Sequence, residues 1–162
     1  MELMITIKGN KYTVQDKKAS RLLYTVKKKG FGAGRYLLLD ASNYQLYSLV
    51  QTAEDRKPTF IVSHNDVTIM DLACKSLFLD PTITVDGKDI SGHEIHFSMA
   101  SKDHKDFELL REGVTVGSIK TKLLVNNELQ YEVEIDDKLF DDYIPLFAVA
   151  VDLTFGDINR NM

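Results

Sequence analysis

From Leu129 to Asp136 the chain alternates without a break: Leu129, Tyr131, Val133 and Ile135 fall on one side, and Gln130, Glu132, Glu134 and Asp136 on the other. A period of two is the signature of a strand with one buried face. Leu3, Ile5 and Ile7 repeat it at the amino end, Ile95, Phe97 and Met99 alternate with Glu94, His96 and Ser98, and Leu22, Tyr24 and Val26 oppose Arg21, Lys27 and Lys29. Strands are expected at about residues 2–8, 11–15, 21–28, 35–40, 44–51, 58–63, 66–73, 77–85, 94–100, 106–111, 114–122 and 128–136. Four of the reversals between them recur at nearly even spacing. They are Leu39–Tyr44, Val62–Val67, Val85–Ile90 and Leu110–Val114, and Asn, Asp and Gly in them supply the turn-forming conformations. Such spacing points to internal repetition, and a sandwich spaces its turns in the same way.

One segment breaks the pattern. Tyr143 to Val151 carries no charge on any side, so as a helix it must be enclosed on every side. Asp141 or Asp142 is placed to cap it, Pro145 sits in its first turn, and Gly156 is placed to end it, giving an expected helix over 141–155. A barrel of eight strands is filled by its own side chains, whereas one of eleven or twelve is wide enough for a helix about 10–12 Å across. The predicted fold is therefore mainly β: a closed barrel of about twelve antiparallel strands around a central hydrophobic C-terminal helix, favoured over a helix lying on an open sheet. No linker composition interrupts residues 1–162, which are expected to form a single domain.

Strand-turn-strand repetition, a Lys-rich first half and a closing helix ending Ala148-Val149-Ala150-Val151-Asp152 resemble the LURP-one-related and tubby C-terminal-like superfamily over nearly the whole chain. Tyr24 to Gly32 followed by Arg35 to Asp40 is similar to that family's strand, aromatic-glycine turn and strand running into an Asp turn. The resemblance implies a twelve-stranded barrel with a helix along its axis, as in tubby domains and phospholipid scramblases, and the chain is most similar to small, bacterial-type members. Eukaryotic tubby domains bind phosphoinositide headgroups through a basic motif that has no position-by-position match here. Scramblases carry a cysteine cluster, an acidic calcium segment and a membrane-associated stretch, whereas this chain has one cysteine, Cys74, and no comparable span.

Charge adds a candidate site. The net charge is only −4, yet residues 1–35 hold nine Lys/Arg against Glu2 and Asp16, a balance of +7 that leaves −11 for the rest. Lys17, Lys18, Arg21, Lys27, Lys28, Lys29 and Arg35 are the concentrated part of it. With the loop at Lys17 close to Arg35, these side chains would meet one anionic headgroup, each exposed contact adding about 1 kcal/mol near an anionic membrane. The plainer reading is a strand edge guarded by lysines. A protein partner is the alternative ligand, and nucleic acid is not expected for a chain that is acidic overall.

Other residues give no chemistry. Gly30 to Gly34 lacks the Gly-Lys-Ser/Thr of a phosphate loop and joins two strands, so it reads as a hairpin turn. His93 and His96, three apart, point to opposite faces of a strand rather than to one metal. Asp136, Asp137, Asp141 and Asp142 lack the alternation of a calcium loop. Cys74 reads as a small buried hydrophobe, with a reactive thiol as the alternative. No nucleophile, acid-base pair, metal set or cofactor motif emerges, so a non-enzymatic binding module is expected. An acidic second residue without a basic n-region, and no run of ~20 apolar residues, predict a cytoplasmic protein with no transmembrane segment and at most peripheral contact with the membrane.

Overall fold

Hydrogen bonding turns the alternating segments into a meander. In the computed structural model, which describes residues 1–30, 34–53 and 56–161, the strands are β1 (Glu2–Lys8), β2 (Lys11–Asp16), β3 (Leu22–Lys29), β4 (Arg35–Asp40), β5 (Gln45–Ala53) and β6 (Thr59–His64). They continue as β7 (Val67–Cys74), β8 (Thr82–Lys88), β9 (Glu94–Ser101), β10 (Asp106–Arg111), β11 (Val114–Leu123) and β12 (Leu129–Ile135). Each pairs antiparallel with the next, and β12 returns to β1 to close the barrel. Closure uses the two most regular stretches of the sequence, with Leu3 opposite Val133 and Ile5 opposite Tyr131. All four of those side chains point inward and are buried. The Gly30–Gly34 turn read from the sequence falls largely on residues 31–33, outside the described residues.

Through this wall runs α1 (Pro145–Asn161). Every residue from Pro145 to Asp152 is buried, which covers more than two full turns and so every direction around the axis. Seventeen residues span about 25 Å, enough to enter at one end of the barrel and emerge at the other. Aromatic contacts set its depth: Phe147 meets Phe97 edge-on with ring centroids 5.5 Å apart, and Phe155 packs on Phe107 at 5.3 Å. Cys74 lies buried at the end of β7, where desolvation pushes its thiol pKa up and so disfavours the thiolate.

The helix bounds differ from the expected 141–155, and the differences have physical causes. Pro145 is indeed at the first helical position, but the approach is a tight turn, with Leu146 N–H donating to the Tyr143 carbonyl at 3.0 Å. The carboxylates of Asp141 and Asp142 do not cap it: Asp142 accepts from the Tyr24 hydroxyl, and Asp141 from the Asp142 N–H at 2.6 Å. Gly156 does not end the helix either. It lies within α1, and a Cβ there would come within 2.7 Å of an Asp152 carboxylate oxygen and 3.0 Å of the Arg160 guanidinium, which reach across it from one turn before and one turn after. The glycine is a gap for an ion pair rather than a stop.

One strand also shifts. β8 was expected at 77–85 with a turn at Val85–Ile90, yet it runs from Thr82 to Lys88. Residues 76–80 form a turn closed by the Ser76 N–H on the Asp80 carbonyl at 3.1 Å, and Gly87 is a strand residue packed so close to β7 that a side chain there would collide with the backbone of Ile69 and Met70. The other expected reversals hold their places, with positive φ at Asn43, Asn65, Asp66 and Gly113.

Candidate functional site at the helix-exit end

An up-and-down meander sends its turns alternately to the two ends. Turns after odd-numbered strands surround the helix exit, and turns after even-numbered strands surround the helix entry. This divides the seven cations singled out in the sequence. Lys17, Lys18 and Arg21 follow β2 and lie at the entry end, whereas Lys27, Lys28, Lys29 and Arg35 flank the β3–β4 turn at the exit end. Five residues of β3, Leu22 to Val26, hold Arg21 and Lys27 about 20 Å apart, too far for one headgroup to touch both. Lys17 is moreover engaged by Glu132 at 3.4 Å. Strand parity was the signal that would have separated them.

The exit-end group gains neighbours that the sequence reading left out. Lys8 stands directly opposite Lys11, Lys11 opposite Lys27, and Lys29 opposite Arg35, so β1 to β4 present adjacent cations on one outer face. Like charges directly opposed are unfavourable by up to about 1 kcal/mol a pair. Arg35 reaches Asp66 at 3.2 Å, but among the described residues Lys8, Lys11, Lys27, Lys28 and Lys29 make no ion pair. Lys28 is half-buried and drapes over Gly34, whose Cβ position its side chain would fill.

Inside this rim lies a polar mouth of about 340 Å³, lined in part by Asn10, Tyr12, Tyr36, Asn127, Asp152 and Arg160. Asp152 is its anchor. Its carboxylate accepts from the Tyr12 hydroxyl at 2.6 Å, the Tyr131 hydroxyl at 2.8 Å and the Arg160 guanidinium at 3.1 Å. Three donors, two from the wall and one from its own helix, satisfy a charge that would otherwise be very costly to bury, and they fix the rotation of α1 in the barrel. Sequence reasoning placed Asp152 only as the last residue of a family-like helix. The visible hint was one carboxylate at the end of an uncharged run, but its partners are 140 and 21 residues away.

This network predicts an alkaline limit. Burial first, then the Asp152 charge, push the Tyr12 and Tyr131 hydroxyls well above their ordinary value. A raised pKa in the fold means the stabilisation is intact below about pH 10, where the unfolded chain also keeps its tyrosyl protons, and is lost as pH rises beyond it. Each such tyrosine should remove about 1.4 kcal/mol per pH unit above about pH 10. Urea midpoints measured across that range are expected to fall steeply, and Tyr131→Phe to flatten the slope by one tyrosine's share; a flat wild-type profile would contradict the buried network.

The helix exit is tied to the neighbouring turns. His104, in the β9–β10 turn, donates from Nε2 to the Leu77 carbonyl at 2.6 Å and packs between Phe78 and Phe155, each with a centroid distance of 5.7 Å. Asn159 on α1 donates to the His104 carbonyl at 2.8 Å. Elsewhere, His93 and His96 remain separate: His93 pairs with Asp89, and His96 faces outward between Asp86 and Glu94, hydrogen bonds that raise its pKa.

Comparison with known proteins agrees with this architecture. No curated protein matches the chain. An X-ray structure of a protein from Arabidopsis thaliana is similar over 98% of this chain and 90% of that one, with a TM-score of 0.57 and 16% identity, a likeness that speaks for the fold alone. The sequence profile of the LURP-one-related family matches residues 1–152. With the profile covering all twelve strands and the first half of the helix, the chain belongs to the LURP-one-related family.

Proposed function

We propose that this barrel is a non-enzymatic binding module that recognises anionic phospholipid headgroups through the cations of its helix-exit end: Lys27, Lys28, Lys29 and Arg35, joined by Lys8 and Lys11. The observation that carries the reading is the run of opposed like charges across β1 to β4, kept at a cost to stability and with a carboxylate partner at Arg35 alone among the described residues. An anionic surface relieves that repulsion, and each cation contributes about 1 kcal/mol to binding near it. The Lys17, Lys18 and Arg21 group lies at the other end and takes no part.

Sedimentation with phosphatidylcholine vesicles, with and without phosphatidylserine, tests this. Binding is expected only with the anionic lipid and should weaken as salt rises. Reversing Lys27, Lys28 and Lys29 to Glu should reduce affinity by at least about 100-fold. Equal binding to neutral and anionic vesicles, or indifference to the reversals, rules the reading out.

A second reading is a structural or protein-interaction domain without a lipid ligand. It draws support from exposed Tyr44, Val67, Ile90 and Val114, one at each of four turns around the helix entry. A pull-down whose partner survives the lysine reversals would favour it.

A further inference from the structure

The helix-exit end also carries exposed apolar side chains, and these are consecutive rather than scattered. Phe78 and Leu79 lie in the β7–β8 loop, Leu79 being 96% exposed, and Leu123, Leu124 and Val125 lie at the end of β11 and the turn into β12. Turn tips ordinarily hold Gly, Asn, Asp or Ser. Apart from the edge contact of Phe78 with His104, neither segment is held in place by burying these side chains. Ser76 Oγ accepts from the Leu79 N–H at 3.2 Å, and His104 pins the Leu77 carbonyl. In the other turn, Asn127 N–H donates to the Leu124 carbonyl at 3.0 Å and Leu124 N–H to that of Glu128 at 2.8 Å. Both are formed turns presenting hydrocarbon to water.

Charge identifies what covers them. Lys102 and Lys105 lie in the turn between the two apolar segments, and Lys75 opens the β7–β8 loop. The cationic row of β1 to β4 continues around the same rim. On this rim the cations outnumber the carboxylates of Asp80, Asp103, Asp106 and Glu128, so apolar tips here fit an anionic bilayer, whose headgroups meet the lysines while its acyl boundary receives the side chains. The exposed Tyr44, Val67, Ile90 and Val114 of the opposite end do not fit it, because they stand singly and each follows a carboxylate in its own turn, Asp40, Asp66, Asp89 and Glu112.

We infer that the protein docks on an anionic membrane with the helix-exit end facing the bilayer, the Phe78-Leu79 and Leu123-Leu124-Val125 tips entering the interface. This rests on the headgroup reading above and adds the orientation and the inserted residues.

The chain contains no tryptophan, so a single introduced indole reports its own surroundings. Leu79→Trp and Val125→Trp should each shift their emission to the blue on addition of phosphatidylserine-containing vesicles, whereas Ile90→Trp at the other end should not. In sedimentation, Leu79→Ser with Val125→Ser should weaken binding by about tenfold per side chain. Ile90→Ser with Val67→Ser should leave it unchanged, and both pairs should melt like the wild type because all four residues are exposed. If the wild type binds and the lysine reversals abolish binding, yet the Leu79/Val125 pair binds as well as the wild type, the insertion is wrong and the headgroup reading stands. A blue shift at position 90 instead of 79 and 125 overturns the orientation. Failure of the wild type to bind anionic vesicles overturns both.

Discussion

Val149→Asp should yield no stably folded protein. Val149 is wholly buried in the part of α1 that the barrel encloses, where neighbouring Phe147, Ala148, Ala150 and Val151 are buried as well. An aspartate there must either carry a charge without a partner or take up a proton at the expense of its normal ionisation. Either route costs several kcal/mol, comparable with the whole stability of a domain of this size. Circular dichroism and thermal melting would read the outcome, and a cooperative melt close to that of the wild type would mean that the helix is not enclosed. A charge reversal on the outer wall is the comparison. Glu132→Lys suggests itself from the alternation of β12, but Glu132 accepts from Lys122 at 2.7 Å and Lys17 at 3.4 Å, so reversing it gathers three cations. Glu134, exposed and outside any ion pair among the described residues, is the better control, and Glu134→Lys should change the melting temperature little.

Asp152→Ala should lower stability by about 3–5 kcal/mol, because it strands three donors at once. Tyr12 and Tyr131 lose a shared acceptor in a buried site, and the Arg160 guanidinium keeps only its contact with exposed Asp157 at 3.4 Å. Asp152→Asn keeps the shape and one acceptor oxygen and should cost less. Removing both charges, as in Asp152→Leu with Arg160→Met, is expected to recover part of the loss seen with alanine, since no orphaned cation is left behind. Urea denaturation of the three variants would decide it. An Asp152→Ala protein within about 1 kcal/mol of the wild type would show that the carboxylate is not what fixes α1 in place.

The candidate site was only partly legible. Residues 27–29 and Arg35 were visible as a cationic run because they are near one another in the chain. Lys8 and Lys11 were not joined to them, since that adjacency exists only once β1, β2 and β3 are in register. Lys17, Lys18 and Arg21 were grouped with the others by sequence distance, which ignores that a strand carries its two ends far apart. Phe78 and Leu79 fall within the strand expected over 77–85. In the fold β8 begins only at Thr82, and both side chains face water.

What the sequence determined by itself was whatever depends on local periodicity. Side chains alternating every second residue must form half-buried strands, and an uncharged run of nine must be surrounded, so the number of strands and the central helix follow from the order of residues alone. Tertiary structure decided everything that depends on which distant residues share a position in space. It brought Tyr12 and Tyr131 to Asp152, opened a gap at Gly156 for the Asp152–Arg160 pair, and set Lys8 and Lys11 beside Lys27 at the end where Leu79 and Val125 face water. The reason is that hydrophobic burial sets which face points inward without regard to partner, whereas a hydrogen bond or a charged rim requires named groups within a few ångströms, and only the closed register of the barrel supplies that.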